Sequence, residues 1–88
     1  MTEFEDKVIE VISGLEPGDI VTYGEVAAEA GHPGAARAVG TLLRKTVEEI
    51  PWWRVVGTGG YLRTPHRSRQ AQHLADDGVL VVNNRVAL

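Results

Sequence analysis

The chain has 88 residues with 43% hydrophobic content, no cysteine and a formal net charge of −3. These values predict one globular domain over residues 1–88, and they exclude a disulfide scaffold, a thiolate nucleophile and a cysteine-ligated zinc site. No apolar run approaches the roughly 20 residues of a membrane span, and no signal peptide is visible, so a cytoplasmic protein without membrane contact is expected.

The first helix has a defined start and stop. Thr2 and Glu5 form a capping box, and apolar residues then follow at helical spacing. The helix is predicted to reach about Ser13 and to stop at Gly14. A turn and a short extended segment follow over residues 17–21.

The next two helices are predicted to form a helix-turn-helix. Thr22 and Glu25 repeat the capping box and start a helix that ends at Gly31, and a third helix follows over residues 34–45. A short glycine-containing turn between two helices is typical of this motif. The first turns of the third helix carry small residues apart from Arg37. This surface can therefore approach either a neighbouring helix or the floor of a DNA groove.

Both tryptophans of the chain lie side by side, at Trp52 and Trp53, directly after Pro51. Proline fixes its own φ and disfavours helix at the preceding residue, while Val55 and Val56 predict a short strand. The two indoles either fill the core of a small domain or form a flat wall for a planar ligand.

The last third of the chain predicts a wing, a helix and a terminal hairpin. Residues 55–62 surround a glycine-rich turn, and the basic segment 63–69 leads into a helix that ends at about residue 76. Two final extended segments, 79–82 and 85–88, flank an Asn-Asn pair. The sum is an α+β domain of the winged-helix type, with a helix-turn-helix, a short wing and a terminal hairpin.

Charge is distributed unevenly along the chain. Residues 1–31 contain eight acidic side chains and one lysine, a balance of −7, whereas residues 32–72 contain seven basic and two acidic side chains, a balance of +5. The remaining residues contribute −1, because Asp76 and Asp77 outweigh Arg85. An acidic first third and an arginine-rich middle are expected of a protein that binds a polyanion with one face.

Several short motifs occur in one order along the chain: Thr22-Tyr23-Gly24, Ala36-Arg37-Ala38-Val39-Gly40, Pro51-Trp52-Trp53-Arg54-Val55-Val56, a glycine turn and Asp77-Gly78-Val79. Together they resemble the DNA-binding domain of O6-alkylguanine-DNA alkyltransferases, and more closely the alkyltransferase-like proteins that lack the reactive cysteine. By this resemblance, Trp52 stands at the position of the alkyl-accepting cysteine and Trp53 at that of the assisting histidine. Asp77 stands where the enzymes place a glutamate, and a structural role is implied for it.

The resemblance implies recognition of O6-alkylguanine in duplex DNA without enzymatic repair. The recognition helix would enter the minor groove, Arg37 would replace the flipped base in the stack, and the carbonyls of Trp52 and Val55 would read the guanine amino group. The implied DNA contacts are Tyr23, Gly34, Ala35, Ala36, Arg37 and Gly40. The implied lesion pocket contains Tyr23, Pro51, Trp52, Trp53, Val55, Arg63 and Arg67, and spacing does not choose which of the two arginines approaches the O6 substituent.

The implied consequence of binding is that the lesion is marked for nucleotide excision repair proteins, and a monomer is expected. Two other classes stay open. A winged-helix transcription regulator would read sequence without lesion preference, and a fold kept for protein contacts would not bind DNA. The three histidines lack the spacing of a metal site, so neither metal nor cofactor is expected.

Overall fold

The computed structural model describes residues 2–46 and 49–87. Within these two ranges, no helix combines the length and the apolar character needed to cross a bilayer. The elements, in chain order, are α1 (Glu3–Ser13), β1 (Val21–Thr22), α2 (Tyr23–Glu29), α3 (Ala36–Lys45), β2 (Val55–Val56), α4 (Arg67–Asp76), β3 (Val81–Val82) and β4 (Arg85–Val86), with 3-10 turns at Trp52–Arg54 and Thr58–Gly60. The predicted α+β class is confirmed. Glu48, counted among the acidic residues, and Leu88, in the predicted last segment, lie outside the described residues.

Both predicted capping boxes are present. The Glu5 N–H donates to Thr2 Oγ1 at 3.1 Å and the Thr2 N–H donates to Glu5 Oε1 at 2.9 Å, and Thr22 and Glu25 repeat this pair at 3.1 and 2.8 Å. Because each box satisfies backbone N–H groups that the first helical turn leaves free, α1 and α2 begin where the sequence predicts.

The recognition helix α3 begins two residues later than predicted. Gly34 has a φ of +93°, which is left-handed and incompatible with an α-helix, and Ala35 forms the N-cap without a side-chain hydrogen bond. Gly34 and Ala35 therefore belong to the turn of the helix-turn-helix and not to the helix surface. The helix itself starts at Ala36.

The two valines of β2 connect two hydrophobic cores. In the first core, Val55 packs with residues of α1, α2 and α3, among them Ile12 and Val39. In the second core, Val56 packs with Leu62, with Leu74 of α4 and with Val86. Adjacent residues of a strand point to opposite faces, so this strand is buried on both sides. It pairs in parallel with β1, with Val21 opposite Val55. The pair ties the helix-turn-helix to the tryptophan segment.

The predicted wing takes a different form. Val55–Val56 pairs with β1 rather than folding back on residues 61–62, and both valines are buried. The glycine-rich turn is closed by a hydrogen bond from the Gly57 N–H to the Tyr61 carbonyl at 2.7 Å. Tyr61 then forms an antiparallel bridge with Arg85 of β4.

The terminal hairpin is confirmed, and it holds the loop that precedes α4. Asn83 and Asn84 both have positive φ, as a tight two-residue hairpin turn requires, and β3 pairs with β4 on either side. The Leu62 N–H donates to the Asn84 carbonyl at 3.0 Å, and Arg85 Nε donates to the Gly59 carbonyl at 2.8 Å. The hairpin is thus bonded to residues 59–62 at more than one point.

Candidate nucleic-acid interface

A cleft of about 820 Å³ is lined by residues of α2 and α3 and by residues between Trp52 and Arg69. This volume lies within the usual range for ligand pockets. Its basic lining residues are Arg37, Arg44, Arg63, His66 and Arg69. Among the described residues that line it there is no Asp or Glu. A protein with a net charge of −3 therefore presents a cleft that attracts anions.

The cleft brings together half of the residues predicted for DNA binding and for the lesion pocket. Those that line it are Tyr23, Ala36, Arg37, Gly40, Trp52 and Arg63. Those that do not are Gly34, Ala35, Pro51, Trp53, Val55 and Arg67. The predicted base-replacing arginine and the residue at the cysteine position thus share one cavity, and their roles stay predictions.

Gly40 lies on the α3 wall of the cleft, beside Arg44 and Tyr23. A Cβ atom added there would lie 3.8 Å from the Arg44 guanidinium and 3.9 Å from the Tyr23 ring, which is ordinary van der Waals distance. Internal packing therefore does not require a glycine at this position. One turn earlier, the exposed Arg37 projects from the first turn of α3. The small surface is available to a partner outside the chain.

Tyr23 connects the two helices of the motif to the cleft. It is the first residue of α2, directly after the Thr22 cap, and its ring packs partly against the first core. Burial raises the pKa of Tyr23, while Arg44 and Arg63 act in the opposite direction. The phenol is therefore neutral near neutral pH and can donate a hydrogen bond into the cleft.

The two tryptophans have different surroundings. Trp52 lines the cleft, and the Arg69 guanidinium lies 5.9 Å from its ring centre. Trp53 packs against the second core, and its indole N–H donates to Asp77 Oδ2 at 3.1 Å. The core interpretation thus fits Trp53, which does not line the cleft, and the planar-wall interpretation fits Trp52; the assignment of both residues to the lesion pocket stays a prediction.

Arg54 does not belong to the basic face that the charge count suggested. It is buried and forms an ion pair with Asp77. Hydrogen bonds from Arg54 hold the pKa of Asp77 below its ordinary value, with Trp53 contributing in the same direction. The same pairing raises the pKa of Arg54. This arrangement agrees with the structural role implied for Asp77.

Arg63 and Arg67 occupy different cavities. Arg63 lines the main cleft, where its side chain lies against Gly57; a Cβ atom on Gly57 would meet Arg63 Cγ at 2.6 Å. Arg67 lines a second cavity of about 410 Å³ beside Tyr61. Geometry therefore favours Arg63 as the arginine of the lesion pocket, and it identifies Gly57 as the residue that lets Arg63 lie there.

The Val55 carbonyl is engaged inside the protein. It accepts a hydrogen bond from Gln70 Nε2 at 3.0 Å, and Val55 is fully buried. The same Gln70 nitrogen donates to the Trp53 carbonyl at 3.0 Å. The prediction that the Val55 carbonyl reads the guanine amino group is therefore not supported by an open acceptor at this position.

The site residues predicted from the sequence omitted three basic residues of the cleft, Arg44, His66 and Arg69, although Arg44 and Arg69 were counted in the basic middle of the chain. Residues two positions apart on a helix do not share a face, so only one of Arg67 and Arg69 can point into the cleft from α4. Once α4 had been predicted, this spacing could have shown that Arg67 and Arg69 point in different directions. Within the described ranges, no cluster of three or more His, Asp or Glu side chains could hold a metal ion.

A sequence model of the DNA-binding domain of 6-O-methylguanine DNA methyltransferase matches residues 3–79 of the chain. The DNA base-flipping protein of Escherichia coli is 40% identical over 82 residues, which cover 89% of this chain and 64% of that protein. The chain thus spans less than two thirds of that relative's length.

Two solved structures have the same fold. The structure of S. pombe Atl1 in complex with damaged DNA containing O6-carboxymethylguanine matches with a TM-score of 0.85 at 31% identity, over 93% of this chain and 82% of that one. The Mycobacterium tuberculosis O6-methylguanine methyltransferase matches with a TM-score of 0.76 at 31% identity, over 88% of this chain and 49% of that one.

Proposed function

The chain belongs to the family of the 6-O-methylguanine DNA methyltransferase DNA-binding domain, and on that premise we propose that it recognises O6-alkylguanine in duplex DNA by flipping the nucleotide into the cleft, without removing the alkyl group. The observation that carries the proposal is the cleft itself. It joins Arg37 and Gly40 of the recognition helix to Trp52, with four arginines and no described acidic residue in its lining.

Flipping requires a group that fills the gap in the base stack, and Arg37 has the required freedom. Taking a base out of a duplex costs a few kcal/mol. Within the described residues the Arg37 guanidinium has no hydrogen-bond or ion-pair partner, so inserting it into DNA breaks no such interaction among them. A guanidinium can both stack on neighbouring bases and donate hydrogen bonds to them.

The flipped base would enter beside Trp52. Stacking of a base on an aromatic side chain is worth ~1–3 kcal/mol. Arg63 lines the same cleft and lies against Gly57, and it would approach the O6 substituent of the flipped base. Phosphate contacts from the other cleft arginines would hold damaged and undamaged DNA alike, so the lesion preference would come from the pocket.

Alkyl transfer is not part of the proposal. Transfer to the protein needs a thiolate or a comparably soft nucleophile, and the chain contains no cysteine. After incubation with O6-methylguanine DNA, the mass of the intact protein is expected to be unchanged. A stoichiometric gain of one methyl group would contradict this part of the proposal.

Binding without repair is useful only if another system removes the lesion. We infer that the protein acts as a monomer that marks the site for nucleotide excision repair. The name of the E. coli relative and the DNA complex of the S. pombe relative support the flipping and lesion-binding parts of the proposal.

The direct test is a pair of titrations with a duplex that contains one O6-methylguanine and with its unmodified twin. We expect the modified duplex to bind at least about tenfold more tightly, a difference of about 1.4 kcal/mol. Equal affinities would overturn the proposal. A preference that followed the surrounding sequence and ignored the lesion would instead favour a transcription regulator.

A further inference from the structure

Trp53 is held in one orientation through both its ring and its backbone. Its indole N–H donates to Asp77 Oδ2 at 3.1 Å, and its carbonyl accepts a hydrogen bond from Gln70 Nε2 at 3.0 Å. The His73 imidazole stacks on the indole, with ring centres 4.2 Å apart and planes 16° from parallel. Trp53 and His73 thus form a two-ring stack, and α4 with its C-cap residue Asp77 fixes the stack in place.

Trp52 lies beside this two-ring stack. Its ring centre is 6.1 Å from that of Trp53 and 5.9 Å from that of His73, at interplanar angles of 86° and 81°. Nearly equal distances to two stacked rings mean that Trp52 contacts the side of the stack and not its top. Perpendicular rings at such distances attract one another.

Ring packing sets the orientation of Trp52. Within residues 2–46 and 49–87, its indole has no hydrogen-bond partner. Its other neighbours are the His66 ring, with centres 6.5 Å apart, and the Arg69 guanidinium at 5.9 Å, and both of these side chains are exposed. The half-buried His73, stacked on the hydrogen-bonded Trp53, is the better restrained support.

We infer that His73 is a positioning residue for the lesion pocket, because its stacking on Trp53 completes the wall that fixes Trp52 before DNA binds. His73 does not line the cleft, so it acts through Trp52. The inference rests on the proposed function, since the orientation of Trp52 affects recognition only if a base enters the cleft. A side chain that is already ordered loses less conformational freedom on binding. His73 should therefore raise affinity for the lesion and not for the phosphate backbone.

The first experiment tests positioning in the free protein. The chain has two tryptophans, so labelling with 5-fluorotryptophan gives two fluorine NMR signals, which Trp52→Phe assigns. His73→Leu keeps apolar volume without a flat ring, and His73→Phe keeps a ring that can stack. We expect the Trp52 signal to shift and narrow in His73→Leu and to stay near its wild-type position in His73→Phe. The exposed Gln72→Ala on the same helix serves as the control and should change neither signal.

The second experiment measures lesion preference, the ratio of the Kd for plain duplex to that for O6-methylguanine duplex. His73→Leu should lower this ratio by about threefold to tenfold while leaving the plain-duplex Kd within about twofold. His73→Phe should keep the ratio within about twofold of wild type. Thermal unfolding establishes that each variant is folded, and His73→Gln replaces His73→Leu if the latter is not.

Two results would overturn the inference. One is an unmoved Trp52 signal in His73→Leu with an unchanged ratio. The other is an equal loss in His73→Phe and His73→Leu, which would show that stacking is not what matters. A wild-type protein without lesion preference would overturn the proposed function, and the fluorine signals would still decide whether His73 positions Trp52.

Discussion

The Arg54 guanidinium and the Asp77 carboxylate form a two-point ion pair, with Nε 2.7 Å from Oδ2 and Nη2 3.0 Å from Oδ1. The two side chains are only 10% and 9% exposed. Arg54 Nη1 also donates to the Leu15 carbonyl at 3.0 Å. Arg54 and its partner therefore link the segment after α1 to the end of α4, away from the cleft.

Replacing Asp77 should destabilise the protein and alter its response to acid. Asp77→Asn leaves Arg54 buried without its hydrogen-bonded counter-charge, which should cost about 3 kcal/mol or more of the free energy of unfolding at neutral pH. The folded-state pKa of Asp77 is lowered by Arg54, so its contribution is complete above the unfolded-state value of about 4 and is lost as pH falls through the folded-state pKa. Urea unfolding at decreasing pH should thus show a shallower acid loss in Asp77→Asn than in wild type.

The neighbouring Asp76→Asn provides the matched control for this prediction. Asp76 is exposed on α4, so its replacement should change the unfolding free energy by less than about 0.5 kcal/mol. If Asp77→Asn were as stable as Asp76→Asn at neutral pH, the ion pair would have no net stabilising effect.

Arg37→Ala should weaken lesion binding by about tenfold and reduce flipping. The reason is that no other described cleft residue combines an exposed guanidinium with the first turn of α3. A fluorescent reporter base beside the lesion measures flipping, and a titration measures affinity. Arg67→Ala removes the same charge outside the cleft and should affect flipping little. Wild-type flipping by Arg37→Ala would reduce Arg37 to a phosphate contact.

Arg44→Glu should weaken binding to damaged and plain duplex by the same factor. Arg44 lines the cleft, and its side chain donates to Thr41 Oγ1 at 3.3 Å on the same face of α3. Affinity should fall linearly with salt on a log–log plot, with a slope of ~0.9 per neutralised phosphate, and the variant should have the lower slope. Glu10→Gln on α1 is the control. Glu10 is not in the described cleft lining, so this variant should change neither affinity. A salt-independent affinity would contradict the assignment of this face to DNA.

Trp53→Ala should mainly lower the stability of the protein, whereas Trp52→Ala should mainly lower its lesion preference. Trp53 packs against the second core, so its removal should cost about 3 kcal/mol of unfolding free energy. Trp52→Ala should remain folded, keep the weak salt-dependent binding and lose most of the lesion preference. Urea unfolding and paired titrations separate the two results. A folded Trp52→Ala with its preference intact would refute the pocket role of Trp52, and an unfolded one would make Trp52 a core residue.

Local signals predicted the helices well because caps and breakers act over a few residues. Thr2 with Glu5 and Thr22 with Glu25 each fixed a helix start to the residue. The late start of α3 was missed because the left-handed φ of Gly34 is set by the path of the turn. The pairing of Val55 with Val21 was missed because it joins segments distant in sequence.

The candidate site was also predicted only in part from the sequence. The resemblance brought Arg37 and Trp52 into one hypothesis, and the cleft contains both. It placed Trp52 and Trp53 at two different family positions but included both in the lesion pocket. What separates them is α4, whose His73 and C-cap residue Asp77 bind Trp53 and leave Trp52 at the cleft. Charge counting likewise placed Arg54 with the DNA-facing arginines. A count along the sequence does not show that Arg54 pairs with the distant Asp77.

Hydrogen bonds join the terminal hairpin to the loop at residues 59–62, and they should couple the hydrogen exchange of the two segments. The Leu62 N–H is bonded to the Asn84 carbonyl, and Asn84 Nδ2 returns a bond to the Leu62 carbonyl at 3.3 Å. Opening of either segment breaks both of these bonds, so the loop and the hairpin should stabilise each other and open as one cooperative unit. The hairpin lies beyond residue 79, where the family match ends. The hydrogen exchange of the loop that precedes Arg63 is thus expected to follow the stability of a hairpin that lies outside the residues matched by the family model.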